Sequence, residues 1–308
     1  MTTALITHSA CLRHEPPPGH PERPARLQSI LTALEADEFR PLVRREAPEA
    51  SLDQLSRVHD RDYAKEVLAA IPTRGVAHFD ADTAVSPGSR DAILRAAGAV
   101  VEGVDMVMKG EVKNVFCAVR PPGHHALPDR AMGFCLFNNV AVGAAHARAV
   151  HGLERVAVID FDVHHGNGTE AMFFSDPSLF YASTHQWPFY PGTGRPGEAR
   201  PENIVDLPLP AGAGGAEFRR AFSETLLPAL TTFRPDMVFI SAGFDAHQDD
   251  PLGQMRLVES DYFWATQVLC EVAARQCAGR VVSTLEGGYD LDALARSARV
   301  HVQALMAA

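Results

Sequence analysis

The chain has 308 residues, 46% of them hydrophobic, and a formal net charge of −10. That length can bury a large core in one or two domains, and the acidic balance argues against a nucleic-acid binder that neutralises phosphates. No apolar run approaches the roughly 20 residues that span a bilayer, and "MTTALITHSACLRHE" has no charged segment followed by a long apolar one, so neither a membrane span nor a signal peptide is expected.

In chain order, "ALITH" (4–8) reads as a strand and Pro-rich "EPPPGHPERP" (15–24) as a structured surface loop. Apolar residues recur every three or four positions in "DAILRAAGAVVEGVDMVM" (91–108), which predicts a helix. Strand "NVFCAVR" (114–120) and helix "NNVAVGAAHARAV" (138–150) follow, then strands "RVAVIDF" (155–161) and "LFYASTH" (179–185). Helix "AEFRRAFSETLLPAL" (216–230) contains Pro228, which is expected to kink or end it. Strand "DMVFISAGF" (236–244), helix "DYFWATQVLCEVAARQ" (261–276) and strand "RVVSTLEGG" (280–288) complete the pattern. Most of the strands are apolar on both faces, as in a parallel sheet covered by helices on both sides. No repeat or Pro/Ser-rich linker divides the chain, so one domain over residues 1–308 is expected. The five cysteines (Cys11, Cys117, Cys135, Cys270, Cys277) are scattered and lack C-x-x-C spacing. They predict reduced, mostly buried thiols and a cytoplasmic protein.

Chemistry-bearing residues cluster where strands end. "RPPGHH" follows "VFCAV", "DFDVHHGNG" follows "RVAVI", "AGFDAHQDDPLG" follows "MVFIS" and "EGGYD" follows "VVSTL". In open α/β sheets, ligands bind at the carboxyl edge because loops from several strands converge there. If the segment 160–165 stays extended, Asp160, Asp162 and His164 share one side and His165 faces away. Asp162 and His164 can then grip one ion. Asp245, delivered by another apolar strand, is the best third ligand. Two aspartates and a histidine with open positions suit zinc, and tolerate iron(II) or manganese. Alone, the D-x-H pair is a weak signal, and capping of the following helix is the other reading.

Tandem His124 and His125 diverge too much to chelate one ion together, but can flank a water and move its proton near neutral pH. A polar surface loop is the other reading. Tyr289, after two glycines, can donate to a developing oxyanion or simply pack.

Together these segments resemble the histone deacetylase superfamily, class II-type and bacterial amidohydrolase members most of all. The matching stretches are "GHPERPARL", "RPPGHHA", "GFCLFNN", "DFDVHHGNGT", "HQWPFYPGTG", "SAGFDAHQDDPLG" and "LEGGYD", in the family's order and across nearly the whole chain. The resemblance implies an arginase-like single α/β domain with a mostly parallel sheet of about eight strands. It implies zinc-dependent hydrolysis of an N-acetyl amide, with Asp162, His164 and Asp245 as metal ligands. His125 would shuttle the proton with His124 as electrostatic partner, Asp160 would pair with His124, and Asn167 with His125. Class I members carry aspartate where this chain has Asn167. Tyr289 would polarise the acetyl carbonyl. Phe134 and Tyr190 would wall an acyl-lysine channel, the Gly133 carbonyl would accept the amide N–H, and Asp82 would be the rim acid. Structural potassium is also implied, held by Asp160, Ser183 and carbonyls near Asp162, His164 and Thr184. Arg26 matches a buried arginine near an acetate-release pocket, or else serves an ordinary ion pair.

The expected substrate is an acetyl-lysine peptide or a small linear acetylated amine, with no direct nucleic-acid or membrane partner. One alternative is an acetylpolyamine amidohydrolase. Such members can carry an acid at the position of Leu252 in "DDPLGQM", so Leu252 disfavours it. A non-catalytic acyl-lysine binder is a second alternative, which Tyr289 disfavours. A two-manganese arginase-type site would need further bridging aspartates, where "GFDAH" offers His247 instead.

Overall fold

The computed structural model describes residues 2–308, so residue 1 of the expected 1–308 domain lies outside the described residues. Ten strands occur among them: β1 (Thr3–Thr7), β2 (Val43–Glu46), β3 (Ala77–His78), β4 (Ala84–Val85), β5 (Asn114–Cys117), β6 (Val156–Asp160), β7 (Leu179–Gln186), β8 (Ile204–Leu209), β9 (Met237–Ala242) and β10 (Val281–Leu285). Eight form one sheet in the order β2-β1-β5-β10-β9-β6-β7-β8, with every neighbouring pair parallel. The short β3 and β4 pair separately and antiparallel.

Composition explains the order. β5, β10, β9 and β6 are buried at every position and occupy the centre. The six strands expected from apolar runs correspond to β1, β5, β6, β7, β9 and β10. The two main-sheet strands without such runs are the edges. β2 reads "VRRE" and leaves Arg44, Arg45 and Glu46 exposed. β8 contains Pro208, which lacks a ladder donor and is tolerated at an edge. Charge and proline also discourage further strands from adding there.

Helices cover both faces. Val115 and Val282 lie against Gly103 of helix Ser89–Met108. The next residues in those strands, Phe116 and Ser283, meet His301 of helix Leu291–Ala307. Successive strand residues point to opposite faces, so these helices lie on opposite sides. The first packs on Asn139–His151 and the second on Glu259–Gln276 and Pro24–Ala33.

Of the two outcomes expected at Pro228, a kink or an end, the structure corrects the second. The helical path runs through Gly215–Ala221, a π-helical turn at Phe222–Leu226 and Leu227–Phe233, so it continues past the proline. Pro228 lies just after the π segment, so two irregularities that bend helices stand together here. All five cysteines are free and buried. Among the described residues, no helix is long and apolar enough to cross a membrane.

Candidate active site

The four strands followed by the chemical clusters are neighbours, β5-β10-β9-β6, at the middle of the sheet. Because they run parallel, their carboxyl ends share one edge. Residues from 124 to 289 thereby meet in one cleft.

The extended alternation expected through His165 stops at Asp160, where β6 ends. Beyond it the chain bends, and side chains bond their own backbone. Asp160 Oδ1 accepts the N–H of Asp162 at 3.0 Å, and Asp162 Oδ1 that of His164 at 2.9 Å. The bends still bring Asp162 and His164 together. His164 Nδ1 is 3.1 Å from Asp162 Oδ1 and 3.1 Å from Asp245 Oδ2. The donor atoms of the three residues lie within 4.8 Å of one another. Burial, and then the charge of Asp162, push Asp245 up to about 7. Burial would also raise Asp162, but His124 and His164 outweigh it and hold it well below the carboxylate range. Burial opposes charge on His164, yet Asp162 and Asp245 raise it to about 10. Two carboxylates and an imidazole converging on one point form a donor set that fits a divalent cation. Gly287 is required beside them, since a Cβ there would collide with both carboxylates.

Two other clusters bring histidine and carboxylate together, but each already has a cation. Arg200 Nε donates to Glu170 at 3.0 Å in the His165–Glu170–Asp206 cluster. Arg57 Nη1 lies 2.8 Å from His146 Nδ1 in the Asp105–His146–His151 cluster. His165 faces that first cluster and Thr193, away from the cleft.

The tandem histidines are buried with ring centroids 4.0 Å apart. His124 Nδ1 is 2.9 Å from Asp160 Oδ2, and His125 Nδ1 is 2.8 Å from Asn167 Oδ1. Burial disfavours charge on His124, but Asp160 and Asp162 raise it to about 10. Burial, and then the neighbouring His124, lower His125 well below its ordinary value. Their surroundings therefore push the two rings in opposite directions, His124 toward the charged form and His125 toward the neutral one.

A cavity of about 300 Å³ opens over this floor, lined in part by His125, His164, Gly133, Phe134, Tyr190 and Tyr289. Asp82 and Leu252 also line it, so every expected substrate contact borders one cavity. Gly133 O accepts Cys135 Sγ–H at 3.3 Å, leaving one lone pair. Tyr190 sets its ring edge-on to His125 at 5.2 Å, and Phe134 edge-on to Tyr289 at 5.9 Å. Burial pushes the Tyr289 phenol well above its ordinary value, so it remains a donor.

Phe189, Glu286 and Asp250 carried no signal in the sequence, whereas Arg26 did and its contacts are now visible. Phe189, the neighbour of Tyr190, stacks on His164 at 5.2 Å. Glu286 Oε2 accepts the N–H groups of Gly123 at 2.6 Å and His124 at 3.1 Å, fixing the histidine loop. Asp250 accepts the N–H of Tyr289 at 2.6 Å and of Leu252 at 2.9 Å. Arg26 donates to the carbonyls of Gly288 and Glu286, each at 2.5 Å, and to Glu22 at 3.0 Å. Such backbone-directed roles need no recognisable spacing, so only the fold reveals them.

A parallel α/β sheet whose central strand ends hold buried carboxylates, paired histidines and a cavity tyrosine defines a deacetylase-like hydrolase fold. Residues 20–305 match the histone deacetylase domain. The chain belongs to the histone deacetylase family. It is 43% identical over 299 residues to the uncharacterised protein slr0245 of Synechocystis, covering 96% of each. It is 38% identical to the human polyamine deacetylase HDAC10, covering 99% of this chain and 48% of that one. The crystal structure of the HDA15 HD domain superposes with a TM-score of 0.94 at 36% identity, covering 99% of this chain and 88% of that chain. Membership makes this a hydrolase of the deacetylase class.

Proposed function

We propose that the chain is a single-domain, zinc-dependent deacetylase acting on acetyl-lysine peptides or similar linear acetylated amines. The observation that carries this reading is the convergence of Asp162, His164 and Asp245 beside the cavity that His125 and Tyr289 line. Those three residues would hold the ion, with iron(II) as a substitute. When bound, it would supply a Lewis acid that polarises the acetyl carbonyl and acidifies water.

The remaining steps belong to the chain's own side chains. Neutral His125, its Nδ1–H given to Asn167, has Nε2 free to take the proton of attacking water. Charged His124, held by Asp160, contributes positive potential as the oxyanion forms. The Tyr289 hydroxyl donates to that oxyanion. Protonated His125 then returns its proton to the departing amine, and acetate leaves. Phe134 and Tyr190 would flank the lysine methylenes, Gly133 O would take the amide N–H, and Asp82 would accept a substrate N–H at the rim. Potassium fits the same reading, with Asp160 and Ser183 paired in register on β6 and β7. Five buried free thiols suit a reducing compartment such as the cytoplasm.

Polyamine deacetylation is the second reading, favoured by the likeness to human HDAC10. Against it, the cavity wall carries apolar Leu252. The test is turnover of an acetyl-lysine peptide and of N8-acetylspermidine by purified protein of measured metal content. Peptide turnover that a chelator abolishes and zinc restores is expected. Chelator-resistant turnover, or none, would refute the reading.

A further inference from the structure

Gln254 lines the cavity close to Leu252, and its polar atoms are almost all engaged. Its backbone N–H donates to Gln186 Oε1 at 2.8 Å, and its carbonyl accepts the N–H of Gly212 at 2.8 Å. Its side-chain Oε1 accepts from Gln186 Nε2 at 3.0 Å. Gln186 is itself buried, at the end of β7, with its backbone N–H on Val163 O at 2.8 Å.

These bonds fix both amides chemically. A backbone N–H can only donate, so the Gln186 atom facing it must be oxygen. The nitrogen of Gln186 is then the atom that meets the Gln254 side chain, whose facing atom must in turn be oxygen. The Gln254 amide therefore cannot flip without breaking this pairing. Its Nε2, with two N–H groups and no protein partner, is left as a donor that has no acceptor character.

We infer that Gln254 is a specificity-determining donor for a substrate carbonyl, selecting peptide-like acetylated amines over acetylated polyamines. The inference rests on the deacetylase reading and adds the class of substrate. Asp82, an acceptor in the same cavity, serves both classes, because a peptide N–H and an alkylammonium are both donors. Gln254 distinguishes them. A peptide offers carbonyl oxygens near its acetyl-lysine, whereas a polyamine beyond its acetyl group offers only ammonium donors. An ammonium meeting Nε2 faces another donor, with apolar Leu252 nearby.

Three substrates separate the possibilities: an end-blocked acetyl-lysine peptide, N8-acetylspermidine and N-butylacetamide, which lacks a second carbonyl. The wild-type enzyme is expected to prefer the peptide to N8-acetylspermidine. Gln254→Leu should lower kcat/KM for the peptide roughly three- to ten-fold more than for N-butylacetamide, mostly through KM, the loss of about one neutral hydrogen bond. Gln254→Glu, which keeps the shape and retains an acceptor for Gln186, should move the ratio of N8-acetylspermidine to peptide turnover upward. Equal losses on all substrates in Gln254→Leu, an unmoved ratio in Gln254→Glu, or a wild-type preference for N8-acetylspermidine would overturn the inference and leave the deacetylase reading standing. No turnover of any of the three would overturn both.

Discussion

His125 gives its Nδ1–H to the side-chain oxygen of Asn167 across 2.8 Å, and no carboxylate stands in that position. A neutral amide orients the ring without stabilising its protonated form. Asn167→Asp would add a charge that raises the pKa of His125. Because the free base is the active form, the acidic limb of the pH–rate profile should move up by about one unit. A profile that superposes on the wild type would break the proposed coupling.

Tyr289 borders the cavity and keeps its proton at neutral pH. Tyr289→Phe removes one oxyanion donor while preserving the ring over Arg26. The expected loss is about 10²–10³-fold in kcat with little change in thermal stability. Near-normal turnover would take the phenol out of the mechanism.

Zinc binding should also be visible without catalysis. Chelator-treated protein should gain about 3 kcal/mol of stability when zinc reaches a hundred times its Kd. Asp162→Ala and Asp245→Ala should lose most of that gain in a thermal melt. An equal gain in all three proteins would place the ion elsewhere.

Glu22 lies between two arginines, and all three side chains are fully buried. It accepts from Arg26 Nη1 at 3.0 Å and from Arg120 Nε and Nη2 at 2.5 and 2.6 Å. Removing its charge strands two guanidiniums, so Glu22→Gln should cost about 3–5 kcal/mol in denaturant unfolding. A cost under about 1 kcal/mol would mean that water reaches the pair.

His59 is held neutral: its Nδ1 donates to Leu127 O at 3.0 Å and its Nε2 accepts from the N–H of Asn138 at 2.9 Å. Burial lowers it from 6.5 to about 4. Between those values the unfolded chain binds a proton that the folded chain refuses, so stability falls as pH falls. Between pH 7 and pH 5 the decline from this residue should be about 2 kcal/mol. His59→Phe should show a correspondingly flatter decline, and parallel curves for the two proteins would refute the assignment.

The runs that form the sheet centre and the clusters behind them were legible in the sequence because each is local. "VAVI" and "MVFIS" announce buried strands, and the residues just after them carry the chemistry. The edges were not legible, since "VRRE" and "IVDLPL" obtain their strand geometry from neighbours rather than from an apolar pattern. Pro228 did not end its helix, because the chain keeps helical geometry through a π turn just before it.

The sequence by itself determined which residue types were available: two aspartates and a histidine for a cation, two histidines for a proton, a tyrosine for an oxyanion. Only the tertiary structure decided that β5, β10, β9 and β6 would be adjacent, which turns four separate clusters into one cleft. It also decided the supporting contacts, such as Glu286 on the histidine loop and Gln186 on Gln254. Those contacts join backbone groups to buried side chains across more than sixty residues of chain. Strand order and burial set them, and neither is encoded in local spacing.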